Sequence, residues 1–360
     1  MISPRRRWED RCMTDAVPAA STAPSPSPSD SALMALPKAE LHLHIEGTLE
    51  PDLAFELAGR NGVSLPYSSV EELAAQYDFA DLQSFLDLYY ATMDVLRTRD
   101  DFAELTRRYL ARAAEQGVRH VELFFDPQAH VARGLRIGDV IEGIGAALDE
   151  AERDLGITSG LILCFLRDES VDSAEQILSA GLSHTDRIVG VGLDSAEVGY
   201  PPSLFEGVYR RAREAGLHVV AHAGEEGPAE YVHEALDLLG VERIDHGIRS
   251  IEDPALVARL AADRIALTVC PLSNLRLRAV PNLADHPLHR LDEAGVAVTI
   301  NSDDPAYFGG YVGDNFIAVR DALGLTADQA ARYARNSIEA SFASDDRKAE
   351  LLQELEAWRG

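Results

Sequence analysis

The sequence predicts an α/β fold, a (β/α)8 TIM barrel with a helical insertion between strands 1 and 2, and three observations carry the expectation. Eight short apolar runs alternate with longer stretches of helical length. Most of the runs are aliphatic or β-branched throughout, as parallel strands covered on both faces should be. Polar, chemically versatile side chains recur where the runs end, on the face that carries the active sites of such barrels.

In order, the runs are AELHLH (39–44), HVELFFD (120–126), GLILCFL (160–166), IVGVGLD (188–194), HVVAHAG (218–224), RIDHG (243–247), ALTVCPLS (266–273) and AVTINSD (297–303). Between them, 137–155 has apolar residues at helical spacing, and 202–216 ends in a glycine suited to a C-cap. The segment 253–264 begins Asp-Pro, a helix start signal. A doubly wound open sheet is the rival architecture, weakened because no GxGxxG follows the first run.

One connection breaks the rhythm. About 75 residues of helical character separate the first two runs, too many for a plain βα loop. In a barrel they would lie over the carboxyl-end face as a cap. Phe79, Phe85, Leu86, Tyr89, Tyr90 and Met93 are then pocket walls, or simply the packing of cap on barrel.

Residues 1–31 stand apart as an N-terminal tail expected to be disordered, leaving 32–360 as a single domain; VPAASTAPSPSPSDS has almost nothing to bury. Arg5, Arg6 and Arg7 are followed by no apolar stretch, which argues against an export signal. Met13 and Met34 leave the translation start open. No run is long and apolar enough for a membrane span. Three scattered cysteines, Cys12, Cys164 and Cys270, form neither a disulfide framework nor a CxxC metal site, and the chain reads as cytoplasmic. A formal charge of −27 repels phosphate backbones and anionic membranes, so nucleic acid and membrane are not expected partners. A neutral or cationic small molecule fits better. The oligomeric state is not readable: the C-terminal segment around Trp358 would suit a monomer or a dimer.

Residues i and i+2 of a strand face one side, so His42 and His44 point together. Other runs end in His222 and Glu225 (HAGEE), His246 (DHG), and Asp303 and Asp304 (NSDDP). Histidines with an aspartate suit a borderline divalent ion; zinc fits best, with iron, cobalt or manganese also possible. Bound zinc lowers the pKa of water to about 7. Glu225, three residues beyond His222, can stand beside such an ion without binding it and move a proton. Asp303 and Asp304 are adjacent and cannot point the same way, so one can bind metal while the other binds water or substrate. His120, His184, His218, His286 and His289 fall outside the pattern and read as structural or surface residues; His130 and His233 have no assigned role.

Together, ELHLHIEGTLEP, HAGEEGP, ERIDHG, CPLSN and INSDDPAYF resemble the adenosine deaminase family, in order and spacing, from about Leu36 to the last helix. The resemblance implies a (β/α)8 barrel with one catalytic zinc per subunit, and hydrolytic removal of a purine 6-amino group. It implies His42, His44, His222 and Asp303 as metal ligands and Glu225 as the acid that protonates purine N1. His246 would orient the attacking water, and Asp304 would hydrogen-bond that water or purine N7.

Two departures bear on the substrate. The family's nucleoside enzymes carry an aspartate where this chain has Glu46, in HIEGT, and a small residue where it has Glu197, in DSAEVG. The pattern looks like the family's adenine deaminase branch. A free base carries an N–H where a nucleoside has its glycosidic bond, and a carboxylate at Glu46 or Glu197 would accept from it. The expected reaction is adenine to hypoxanthine and ammonia, in purine salvage. Alternatives are adenosine deamination, deamination of another 6-aminopurine derivative, or a non-catalytic purine-binding protein. The last would be expected to have lost a ligand or the acid. AMP is disfavoured, since only Arg276 and Arg278 lie near the motifs.

Overall fold

The computed structural model describes residues 27–358. Eight parallel strands stand in sequence order: β1 (Lys38–His44), β2 (Val118–Phe125), β3 (Thr158–Leu166), β4 (Ile188–Asp194), β5 (His218–Ala223), β6 (Arg243–His246), β7 (Ala266–Val269) and β8 (Ala297–Ile300). Each pairs in parallel with the next. The ring closes at its top rather than along a ladder: Asp303 donates its N–H to the His42 carbonyl (3.1 Å), and His44 donates to the Asp303 carbonyl (3.0 Å). The closing contact therefore joins the HxH strand to the aspartate after β8.

β7 stops at Val269, short of the predicted end, because Pro271 has no N–H for the ladder and opens the helix Pro271–Arg276 instead. The stretch expected as one helix over 202–216 divides into a 3₁₀ turn, Pro202–Phe205, and a helix, Glu206–Glu214. The expected tail lies outside the described residues up to 26. Its end is ordered: Ser29 caps a short helix, Asp30–Met34, by accepting from the Ala32 N–H. Trp358 donates its indole N–H to the Ala32 carbonyl (2.9 Å), tying the chain's last turn to that helix.

Between β1 and β2 run the helices Pro51–Asn61, Val70–Ala74, Leu82–Thr92 and Arg99–Glu115. The third starts at a capping box, Asp81 with Ser84. Its buried face joins Phe79 and Met93 to Tyr307 and Phe308, which follow β8, in a cluster separate from the main core. At the opposite end of the barrel, fully buried Glu122 accepts from the guanidinium of Arg243 and from the Phe342 N–H, with His120 3.1 Å away. Among the described residues, no helix is long and apolar enough to cross a membrane.

Candidate active site

The strand ends converge on one cavity. Its walls are Leu82, Phe85, Leu86, Tyr89, Tyr90 and Leu277; its floor carries His44, His222, Glu225, His246, Asp303 and Asp304, with Asp126, Asp194 and Ser195. Four of the six aromatic and aliphatic residues expected as pocket walls do line it; Phe79 and Met93 pack behind them. Three lining residues, Ser195, His246 and Asp303, hold left-handed backbone (φ 70°, 59° and 66°). Such strain in non-glycine residues persists where surrounding contacts over-determine it, and here it turns strand ends toward a common point. A β-carbon on Gly47 would stand 2.1 Å from Asp304 Oδ1, so only glycine lets the turn after β1 pass that carboxyl.

His42, His44, His222 and Asp303 each offer one ligand atom, all within 4.8 Å of one another. Alternation along β1 puts both of its histidines in the group, as the i, i+2 spacing predicts. His44 Nε2 lies 3.3 Å from His222 Nε2, and Asp303 Oδ1 lies 3.2 Å from His42 Nε2. Even so, His42 Nε2 has no well-directed hydrogen bond although it is fully buried. Three imidazole nitrogens and a carboxylate oxygen crowded round one point, one of them orphaned, fit a divalent cation. The outer nitrogen of His42 is held as that of a metal-binding imidazole usually is, while those of His44 and His222 face carboxylates at longer range. His42 Nδ1 meets Thr268 Oγ1 (3.0 Å) and its carbonyl (3.1 Å); His44 Nδ1 faces Asp194 Oδ2 (3.5 Å); His222 Nδ1 faces Asp245 Oδ2 (3.7 Å). An overlapping set exchanges His44 and His222 for His246 and Cys270, but burial pushes the Cys270 thiol well up, and a protonated thiol is a poor ligand.

Burial lowers His44 to about 4 and His222 well below its usual range, so both imidazoles are neutral and ligand-ready. Asp303 goes the other way. Burial opposes its charge, but His42 and His246 hold it well below the carboxylate range. Glu225 is pushed well above that range by burial and then by the charges of Asp303 and Glu197, which favours its protonated form. Asn274 donates to Glu225 Oε1 at 3.1 Å, and the same amide nitrogen lies 3.2 Å from His246 Nδ1. Glu225 Oε2 faces His246 Nε2 at 3.5 Å. Asp304, next to Asp303, is raised by burial and by the Asp303 charge.

Glu46 and Glu197, expected to touch the purine, lie off the cavity lining. Glu46 Oε1 accepts from the Asp126 N–H (3.1 Å) and meets His130 Nε2 (2.6 Å). Glu197 accepts four backbone N–H groups, those of Gly224, Glu225, Glu226 and Gly227, at 2.6, 3.1, 2.8 and 2.6 Å. Glu197 spends its acceptor capacity on the protein, whereas Glu46 does so only through Oε1; its Oε2 is buried without a hydrogen bond. Asp126 and Asp194 do face the cavity. Asp126 Oδ1 and both Asp194 oxygens are buried without a hydrogen bond, though Asp194 Oδ2 faces His44 Nδ1 at 3.5 Å; burial and then the Glu46 charge raise Asp126 to about 7, and burial and then the Asp126 charge raise Asp194 well above its usual range. They end β2 and β4, so the strand-end rule that found the histidines applies equally to them.

The sequence profile of the adenosine deaminase family matches residues 37–358. An adenine deaminase of Streptomyces coelicolor is 64% identical over 330 residues, covering 91% of this chain and 97% of its own. One from Cupriavidus taiwanensis is 59% identical, covering 89% and 91%. Among solved structures, an adenine deaminase from Arthrobacter aurescens superposes with a TM-score of 0.89 at 58% identity, covering 90% of this chain and 99% of that one. An amidohydrolase from Burkholderia ambifaria with bound Zn superposes at 0.85 and 30% identity, covering 94% and 95%.

Proposed function

This chain belongs to the adenosine deaminase family, and we propose from that premise that it is a cytoplasmic, zinc-dependent hydrolase converting free adenine to hypoxanthine and ammonia in purine salvage. The observation that carries the choice of free base is Asp126 Oδ1 together with Asp194 Oδ1, both buried at the cavity without a hydrogen bond. An unmet buried acceptor costs roughly 1–3 kcal/mol and more when charged, and a free base supplies the missing donor from its imidazole ring. Adenosine has a sugar bond there and no N–H.

His42, His44, His222 and Asp303 would hold the metal, which when bound supplies a water acidic enough to give hydroxide near neutral pH. Glu225 carries the proton for N1, making C6 electrophilic. His246, beside both Glu225 and Asp303, orients the water and takes its proton. Asp304 bonds N7 or the water. The aromatic walls exclude solvent, strengthening each of these interactions. Among the described residues no arginine or lysine lines the cavity, so a nucleotide phosphate finds no counter-charge, and the acidic surface argues against nucleic acid. The test is ammonia release from adenine by the purified protein. It should cease on removing the metal and return with zinc; turnover that survives complete metal removal would refute the reading.

A further inference from the structure

Glu197 is the unusual residue at the edge of this site. One buried carboxylate takes four consecutive backbone N–H groups from the turn that follows β5. Successive amides curled about an anion form a nest, normally a binding place for an external ion; here the chain fills it with its own side chain. The turn so gripped contains Glu225. Its geometry is over-determined: Gly224 holds φ 75°, and a β-carbon on Gly227 would lie 2.7 Å from the Glu197 carboxyl carbon. On the strand side, buried Arg167 donates to the His222 carbonyl (2.7 Å) and to the Tyr200 carbonyl (2.9 Å), so a cation secures the end of β5 while an anion secures the turn beyond it.

We propose that Glu197 is a positioning residue for the general acid: by filling the Gly224–Gly227 nest it fixes the Glu225 carboxyl against the reacting edge of the purine. It lies off the cavity lining, and its carboxylate oxygens bond to backbone amides. The inference rests on Glu225 being the acid. Misplacement of a catalytic group by about 1 Å can cost on the order of 100-fold, so the effect belongs in kcat, with binding of the purine and of the metal preserved.

The test uses the zinc-loaded full chain. Glu197→Gln keeps size and removes charge; Gly227→Ala crowds the carboxylate, and the Tyr231 ring beside it, without altering Glu197, and serves if the first variant folds poorly. Turnover per bound zinc, KM for adenine and zinc content are measured, alone and with Glu225→Gln. We expect kcat to fall roughly 10- to 100-fold with KM within about threefold and zinc unchanged, and Glu197→Gln to add no further loss to Glu225→Gln. Full kcat in both single variants, or losses that multiply in the double variant, would overturn the proposal. Wild-type turnover in Glu225→Gln alone would instead remove the acid assignment beneath it.

Discussion

The amide nitrogen of Asn274 stands between Glu225 and His246, 3.1 Å from one carboxyl oxygen and 3.2 Å from Nδ1 of the imidazole. Its carbonyl oxygen is in turn met by His286 Nε2 at 3.2 Å, so the amide cannot flip without breaking all three contacts. One side chain thus registers the proposed acid, Glu225, against the proposed water-orienting base, His246. Asn274→Ala should lower kcat/KM for adenine by roughly tenfold or more while leaving metal content intact. A variant with unchanged kcat/KM would show that Glu225 and His246 hold their places unaided.

The raised Glu225 sets the pH dependence. The acid works only when protonated, and its pKa lies well above the ordinary carboxylate range, because of burial first and of Asp303 and Glu197 next. Activity is therefore lost as pH rises past that raised pKa. A kcat/KM profile on adenine should show this alkaline limb, and Glu225→Gln should abolish it along with ~10²–10⁴ of the rate. A limb that persists unchanged in that variant belongs to another group.

Asp126 provides a separate check on substrate recognition. Its Oδ1 is buried at the cavity with no protein donor. Asp126→Ala should cost adenine about 10- to 100-fold in kcat/KM, the worth of a hydrogen bond to a charged group, and should shrink the discrimination against N9-substituted purines. Unchanged discrimination would mean that the imidazole edge is read elsewhere.

Stability at low pH should depend on the far end of the barrel. Burial alone would raise Glu122, yet Arg243, His120 and the Phe342 N–H hold it at about 2 against an unfolded value of 4.5. A depressed carboxylate contributes stability that is complete above its unfolded pKa and lost as pH falls through the folded one. The contribution, about 3 kcal/mol at 1.36 per unit, should disappear between pH 4.5 and 2. Glu122→Gln should lower Tm at pH 7 and flatten its decline over that window, with turnover per folded molecule unchanged.

Much of this architecture was legible because parallel strands are continuous apolar runs, and because barrel chemistry collects where those runs end. His42 and His44 were readable from pleat periodicity alone, and His222, Glu225, His246 and Asp303 from their places after later strands. Asp126 and Asp194 were equally visible, closing HVELFFD and IVGVGLD, but an aspartate ending a strand is as often a turn residue. The surroundings of Glu46 and Glu197 are not legible in the sequence for a deeper reason. A sequence shows that a carboxylate is present, not which donors reach it first. The amides of Gly224–Gly227 and the ring of His130 come from distant segments, and only the fold brings them to those oxygens. Asn274 lay inside CPLSN, yet its role depends on three residues from two other strand ends and a loop.

The central claim, that the cavity is built for a free base, is tested most directly by kcat/KM for adenine and adenosine on the same zinc-loaded preparation. A site whose polar groups require a donor rejects an analogue lacking it by on the order of 10⁴, so adenine should exceed adenosine by about that factor. Equal values, or a preference for adenosine, would contradict the account.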